Sequence, residues 1–143
     1  MESTALVEFS TIIGSKDKGI SVGENSNILI YNNLLKNNNL AIAVKDKSIA
    51  EIVETNFKNN NIQISAYSKN WQYGEGGTAN VVNSTFESEI NSLESSSSSK
   101  IYIDNSVING EKKIKGKTVF INKDKKKDEN YKILHPMYDQ ITL

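Results

Sequence analysis

The stretch KNNNLAIAV at residues 36–44 returns as KNNNIQISA at residues 58–66, which defines a repeat of twenty-two positions. The same shift places Ile42 over Ile64, and apolar residues elsewhere in the repeat also meet apolar residues. After an insertion of seven residues near 71–77 the order resumes, and one more full repeat follows. Self-similarity at a fixed period is typical of architectures in which each repeat buries its core only by stacking on its neighbours.

Within a repeat, apolar residues recur at every second position, as at Ile20 and Val22, and a single apolar residue follows at Leu35. This is strand periodicity. Helix is disfavoured because no long segment has helical spacing and because Asn side chains in the turns compete for backbone hydrogen bonds. We therefore expect an all-β fold, a single-stranded right-handed parallel β-helix with about 22 residues per coil. Its coils would lie about 4.8 Å apart.

The pattern Ile-x-x-Asn-x-Leu at residues 30–35 has relatives in IVETNF at 52–57 and VVNSTF at 81–86. With the accompanying GISV or AIAV segments, it resembles right-handed parallel β-helices of the pectate-lyase-like and carbohydrate-binding families over roughly residues 12–110. The resemblance implies a polysaccharide partner and a site on a lateral face. A narrower similarity, to β-helix segments of spore-coat-H-like bacterial proteins, involves DKGISVGE at 17–24, AIAVKDKS at 41–48 and YSKNW at 67–71.

Two other repeat folds are weighed against the β-helix. The sequence at 28–35 also fits the core of a leucine-rich repeat, whose range of periods includes the one seen here. Leu is scarce here, however, and no helical segment closes the repeat. A left-handed hexapeptide helix would need a coil of about 18 residues.

Two columns of small polar residues are expected to stack at the corners of the coils. Their side-chain amides and hydroxyls can hydrogen-bond along the axis, so we interpret both columns as structural. The first comprises Asn33, Thr55, Ser84 and Ser106, and the second Ser26, Ser48, Gly77 and Ser99.

One lateral face collects charged and aromatic residues, because the repeat shift places Glu24 over Asp46. Two carboxylates one coil apart repel each other, which would raise one pKa for acid/base chemistry or recruit a cation such as Ca²⁺. Alternatively they pair with neighbouring lysines as a solvated charge mosaic of little energetic value. Trp71 emerges beside them, either as a sugar platform or folded back onto the wall. The expected ligand-binding residues are Glu24, Lys45, Asp46, Tyr67, Lys69, Trp71 and Tyr73.

Composition excludes several functional classes for the 143 residues. The 17 lysines balance 17 acidic residues, which argues against a nucleic-acid partner. There is no cysteine and no arginine, and His135 is the only histidine, so thiolate sites, histidine metal sites and a nearby catalytic triad find no support. We expect no catalytic residues and no cofactor other than the Ca²⁺ that the two stacked carboxylates would recruit. No apolar run approaches the roughly 20 residues of a membrane span, and no signal peptide is visible.

The two ends differ in charge. Residues 1–111 carry eight lysines and thirteen acidic residues, whereas residues 112–143 carry nine and four. We divide the chain into coils at 1–118 and a Lys-rich turn with an apolar capping tail at 119–143. Serines at 95–99 occupy an apolar place, so the stack is expected to weaken there, with Val119 and Ile121 adding a last strand out of register.

The leading expectation is a non-catalytic carbohydrate-binding or surface-display module of a larger bacterial protein, placed outside the cell or on its surface through that parent. Abundant Asn, Ile and Lys without Arg are typical of AT-rich coding, and no cap is visible at the N-terminus, where the rest of a longer polypeptide would adjoin. One alternative is a fragment of a polysaccharide lyase, epimerase or hydrolase that uses the stacked carboxylates. Another is an architectural solenoid that stacks end to end.

Overall fold

The computed structural model describes residues 2–122 and His135, and these residues form strands almost throughout. The single helical segment within this part of the chain is a 3-10 turn at Trp71–Tyr73. The strands are β1 (Thr4–Glu8), β2 (Thr11–Ile13), β3 (Lys18–Val22), β4 (Asn27–Tyr31), β5 (Leu34–Lys36), β6 (Leu40–Lys45), β7 (Ile49–Val53), β8 (Asn56–Lys58), β9 (Ile62–Tyr67), β10 (Thr78–Val82), β11 (Thr85–Ser95), β12 (Lys100–Asp104), β13 (Val107–Lys115) and β14 (Val119–Ile121).

Strands from successive repeats pair side by side and in parallel. The first sheet has the order β1-β4-β7-β10-β12-β14. The second has the order β2-β5-β8-β11-β9-β6-β3, with β13 on the far side of β11. Each turn of the chain thus places one strand in the first sheet and two strand positions in the second. The molecule is a parallel β-solenoid of about 5 turns with about 22 residues per turn, which confirms the predicted fold class.

The pairing register follows the sequence repeat. Ile42 lies beside Ile64, one repeat later in the chain. Ile52 lies beside Val81, at a wider separation because the seven-residue insertion intervenes. The first coil departs from this register, since Ile12 rather than Ile13 lies beside Leu35. Ile13, which the fixed period would place beside Leu35, faces outward instead and is 59% exposed. A register slip of one residue moves every side chain of a strand to the opposite face of the sheet.

Inward side chains from all faces form one continuous apolar core. Phe57 and Phe86 are fully buried at equivalent places in successive coils, with ring centroids 4.6 Å apart and ring planes 6° apart. The inward side chains of one coil are covered by those of the coils on either side, so this burial depends on stacking along the axis.

Polar columns stack at the corners, as predicted. The backbone N–H of Thr55 donates to Ser84 Oγ at 3.1 Å, and that of Ser84 donates to Ser106 Oγ at 3.0 Å. A further column of asparagines lies at another corner, where the Asn38 N–H donates to Asn60 Oδ1 at 2.9 Å. These bonds satisfy backbone donors at the bends, where the chain leaves the sheets.

The stack does not weaken at the serine run. Ser95 is buried and pairs with Ala66 at the end of β11, so that prediction is wrong. Its hydroxyl lies 2.7 Å from Thr118 Oγ1 and 3.5 Å from the Ser96 carbonyl oxygen, so this buried polar group has hydrogen-bond partners. The last strand is out of register as expected, since Val119 pairs with Ile101 and falls four positions short of a full repeat.

The predicted capping tail and the lysine run at 123–127 lie outside the described residues, apart from His135. The His135 ring is buried, and its Nε2 lies 3.3 Å from the carbonyl oxygen of Asn27. In the described part of the chain, no helix has the length and apolar character that crossing a bilayer requires.

Candidate functional site

A buried aspartate anchors the loop that interrupts the repeat. Asp46 follows β6 in the left-handed backbone region, with a φ of 53°. Its Oδ1 accepts the backbone N–H groups of Lys69 and Asn70, each at 2.7 Å. Hydrogen bonds to a charged acceptor are roughly twice as strong as neutral ones. The carboxylate therefore fixes the chain at the point where it leaves the coil.

The tip of this loop is a capped 3-10 turn. Asn70 Oδ1 accepts the N–H of Gln72 at 3.0 Å, and the N–H of Gly74 closes the turn on the Trp71 carbonyl, also at 3.0 Å. Gly74 has a φ of 82°, a conformation that side chains disfavour. The turn presents Trp71 outward, 82% exposed. The alternative in which Trp71 covers the solenoid wall is thus wrong.

The loop returns to the coil along its glycines. The N–H of Lys47 lies 3.1 Å from the carbonyl oxygens of both Glu75 and Gly76. A side chain on Gly77 would overlap the backbone carbonyl of Val44. The glycines thus let the loop lie close to the coil, and the loop is held at both ends.

Tyr73 interacts electrostatically with the two predicted carboxylates, Glu24 and Asp46. Desolvation raises the pKa of the Tyr73 hydroxyl, and the nearby charges of Glu24 and Asp46 raise it further. A tyrosine phenol is protonated at neutral pH and can donate a hydrogen bond, and this shift extends the protonated range to higher pH. Glu24, Asp46 and Tyr73 are therefore close enough to interact electrostatically.

The remaining predicted residues lie beside this group. Lys45 and Tyr67 are cross-strand partners in β6 and β9, half-buried, and the Lys45 stem passes close over Gly23. Lys69 is exposed at the start of the loop. A surface with an exposed indole, two ammonium groups and a protonated phenol can contact a ligand with apolar faces and polar edges.

Metal binding has little geometric support at this position. One Asp46 oxygen is already used by two backbone amides. Within residues 2–122 and His135, no group of three or more His, Asp or Glu side chains converges closely enough to hold a metal ion.

Comparison of the chain with known protein families, with characterised proteins and with solved structures gave no significant match.

A second exposed aromatic cluster lies far along the chain from the loop and is absent from the sequence prediction. Tyr102 in β12 and Phe120 in β14 stack on the outer face of the first sheet. Their separation in the chain is shorter than a full repeat, so the sequence period does not align them. Aromatic character at both positions was the only available signal.

Proposed function

We propose that this protein is a non-catalytic β-solenoid module that binds a carbohydrate chain through the loop carrying Trp71. The observation that supports this most directly is the 82% exposure of Trp71 on a loop fixed at both ends. Exposing a large apolar ring brings no folding benefit, since burial of such a ring is favourable. Loops held on a rigid scaffold are where binding residues concentrate.

The chemistry around the indole suits a sugar. An aromatic face packs against the C–H face of a pyranose, while polar neighbours bond its hydroxyls and fix its orientation. Tyr73 and Lys69 supply such donors beside Trp71. Because Asp46 and the glycines hold the loop in place, little conformational entropy would be lost on binding. The resemblance to right-handed β-helices of carbohydrate-binding families supports the same function, in a larger bacterial cell-surface protein.

The hydrolase or lyase alternative is less well supported. It requires two carboxylates available to the substrate, and Asp46 is buried with Oδ1 engaged by backbone amides. A general base must reach the proton that it removes. End-to-end stacking is disfavoured at the C-terminal end of the second sheet, because Lys112, Lys113 and Lys115 line β13 and lysines on an outer strand oppose pairing with another chain.

Titration of the full chain with neutral and acidic polysaccharides tests the proposal. Trp71 is the only tryptophan, so intrinsic emission reports the loop alone. We expect a ligand-dependent change in emission, and calorimetry should show that Trp71→Ala weakens binding about tenfold or more. Phe9→Ala is the matched control, because Phe9 is also an exposed aromatic residue but lies on another coil.

Three results would contradict the proposal in different ways. Equal affinities of the parent protein and Trp71→Ala would show that the loop is not part of the binding site. New reducing or unsaturated ends in the titrated polysaccharide would identify an enzyme. Concentration-dependent sedimentation without any polysaccharide affinity would favour the architectural alternative.

A further inference from the structure

A groove on the outer face of the first sheet is built around two stacked aromatic rings. Tyr102 and Phe120 are cross-strand partners, with ring centroids 5.2 Å apart and ring planes 20° apart. They are 39% and 47% exposed, respectively. The parts of the two stacked rings that remain exposed form an apolar platform that spans two coils.

Polar side chains border this platform. The groove has a volume of about 340 Å³, within the range of small-molecule sites, and includes Asn80, Asp104 and Asn122. Asp104 Oδ1 accepts Asn122 Nδ2 at 2.8 Å and the Asn105 N–H at 3.0 Å. The carboxylate is therefore oriented before any ligand arrives, which limits the entropy lost on binding.

At β4 and β7, the outer face of the same sheet is buried. Leu29 and Val53 point outward in the register of β4 and β7 but are fully buried. The outer face is thus covered near its beginning and open at Tyr102 and Phe120. An additional ligand on this face has access at the aromatic end.

We propose that this groove, which we call the Tyr102 groove, binds a neutral sugar ring as a second subsite for the polysaccharide chain. This inference rests on the proposed carbohydrate-binding function and specifies the ligand class. The aromatic platform receives the C–H face of the ring, and the flanking amides and carboxylate bond its hydroxyls. Asp104 excludes uronates, since juxtaposed like charges repel and oppose binding.

The test uses the full chain with cellohexaose, xylohexaose and mannohexaose as neutral probes and hexagalacturonate as the acidic probe. Calorimetry measures affinity, and side-chain amide NMR signals of Asn80 and Asn122 report the groove. Tyr102→Ala or Phe120→Ala should weaken binding of a neutral probe about tenfold. Phe9→Ala should leave the affinity unchanged, because Phe9 is an exposed aromatic residue that does not line the groove.

Two further variants separate recognition from folding. Tyr102→Phe keeps the stacked rings and should retain affinity within about threefold, whereas Tyr102→Ala should not. Asp104→Asn should strengthen binding of hexagalacturonate about tenfold relative to the neutral probes, because it removes the charge repulsion. Unaltered thermal melts would show that the variants fold.

The outcomes distinguish this inference from the loop proposal. A probe that changes Trp71 emission without shifting the groove amides overturns the groove and leaves the loop standing. A probe that shifts only the NMR signals of the groove amides supports the groove as a sugar site and contradicts the loop as one. Probes that affect neither overturn both. Ligand-free, concentration-dependent shifts at Asn122 that disappear in Phe120→Ala would identify a second copy of the chain as the occupant and overturn the groove as a sugar site.

Discussion

Replacing Asp46 by alanine should loosen the loop that carries Trp71 and destabilise the whole chain. Asp46 is buried and accepts two backbone N–H groups at 2.7 Å. A hydrogen bond to a charged group contributes about 1.5–3 kcal/mol. Two such bonds set an upper value of about 6 kcal/mol, but the amides lie near the surface and regain water when the carboxylate is lost. We expect the free energy of unfolding to fall by about 2–4 kcal/mol.

Asp46→Asn removes the charge of the side chain but keeps its shape. Asparagine retains an oxygen at the same place and tolerates the left-handed backbone, so it should cost about half as much. Lys47→Ala is the positional control, because Lys47 is also left-handed, with a φ of 64°, but exposed. It should change stability by no more than about 0.5 kcal/mol.

Urea denaturation followed by far-ultraviolet circular dichroism measures stability, and the anisotropy of Trp71 emission measures loop mobility. The anisotropy should fall in Asp46→Ala before global unfolding begins. If Asp46→Ala unfolds within about 0.5 kcal/mol of the parent and leaves the anisotropy unchanged, the carboxylate does not anchor the loop. The fixed loop would then no longer support the proposed binding site.

Three other perturbations test the fold. Phe57→Ala should lower the free energy of unfolding by about 3–5 kcal/mol. A double-mutant cycle with Phe86→Ala should give a coupling energy of about 0.5–1.5 kcal/mol. Additive effects of the two substitutions would show that the ring stacking contributes nothing. Gly77→Ala should lower the free energy of unfolding by more than about 1 kcal/mol, because its methyl group overlaps the Val44 carbonyl. An unchanged melting temperature would mean that the loop lies farther from the coil. Asn60→Ala should lower the unfolding free energy by about 1–3 kcal/mol, since it leaves buried backbone groups unpaired, and hydrogen exchange at that corner should accelerate; unchanged protection would remove the structural role of the column.

The inward residues of the solenoid were predictable because strand pairing and sequence period express the same constraint. In a parallel stack, equivalent residues lie directly over each other, so the apolar match of Ile42 with Ile64 already implies contact. The corner column of Thr55 and Ser84 was predictable for the same reason. The first coil deviates because it contains one extra residue, and the sequence already indicates this, since the fixed period would put Glu8 on the inward place of Ile30.

The candidate site was predictable only in part. The shift placed Glu24 and Asp46 on one face, and both carboxylates interact electrostatically with Tyr73. It did not reveal that Asp46 is buried, because that depends on the insertion folding back to supply two backbone donors. Whether the Trp71 ring faces water likewise follows from the direction of the 3-10 turn, which no periodic pattern specifies.

By itself, the sequence determined the period, the inward residues, the position of the interruption and therefore the parallel β-solenoid. These features repeat, and each repeat specifies the next through direct stacking. Tertiary structure alone decided the burial of Asp46, the exposure of Trp71 and the meeting of Tyr102 with Phe120. Each arises where the chain leaves the period, through an insertion of seven residues or a final step that is four positions short of a full repeat. At such places the contacts depend on the path of the returning chain, which residue spacing does not encode.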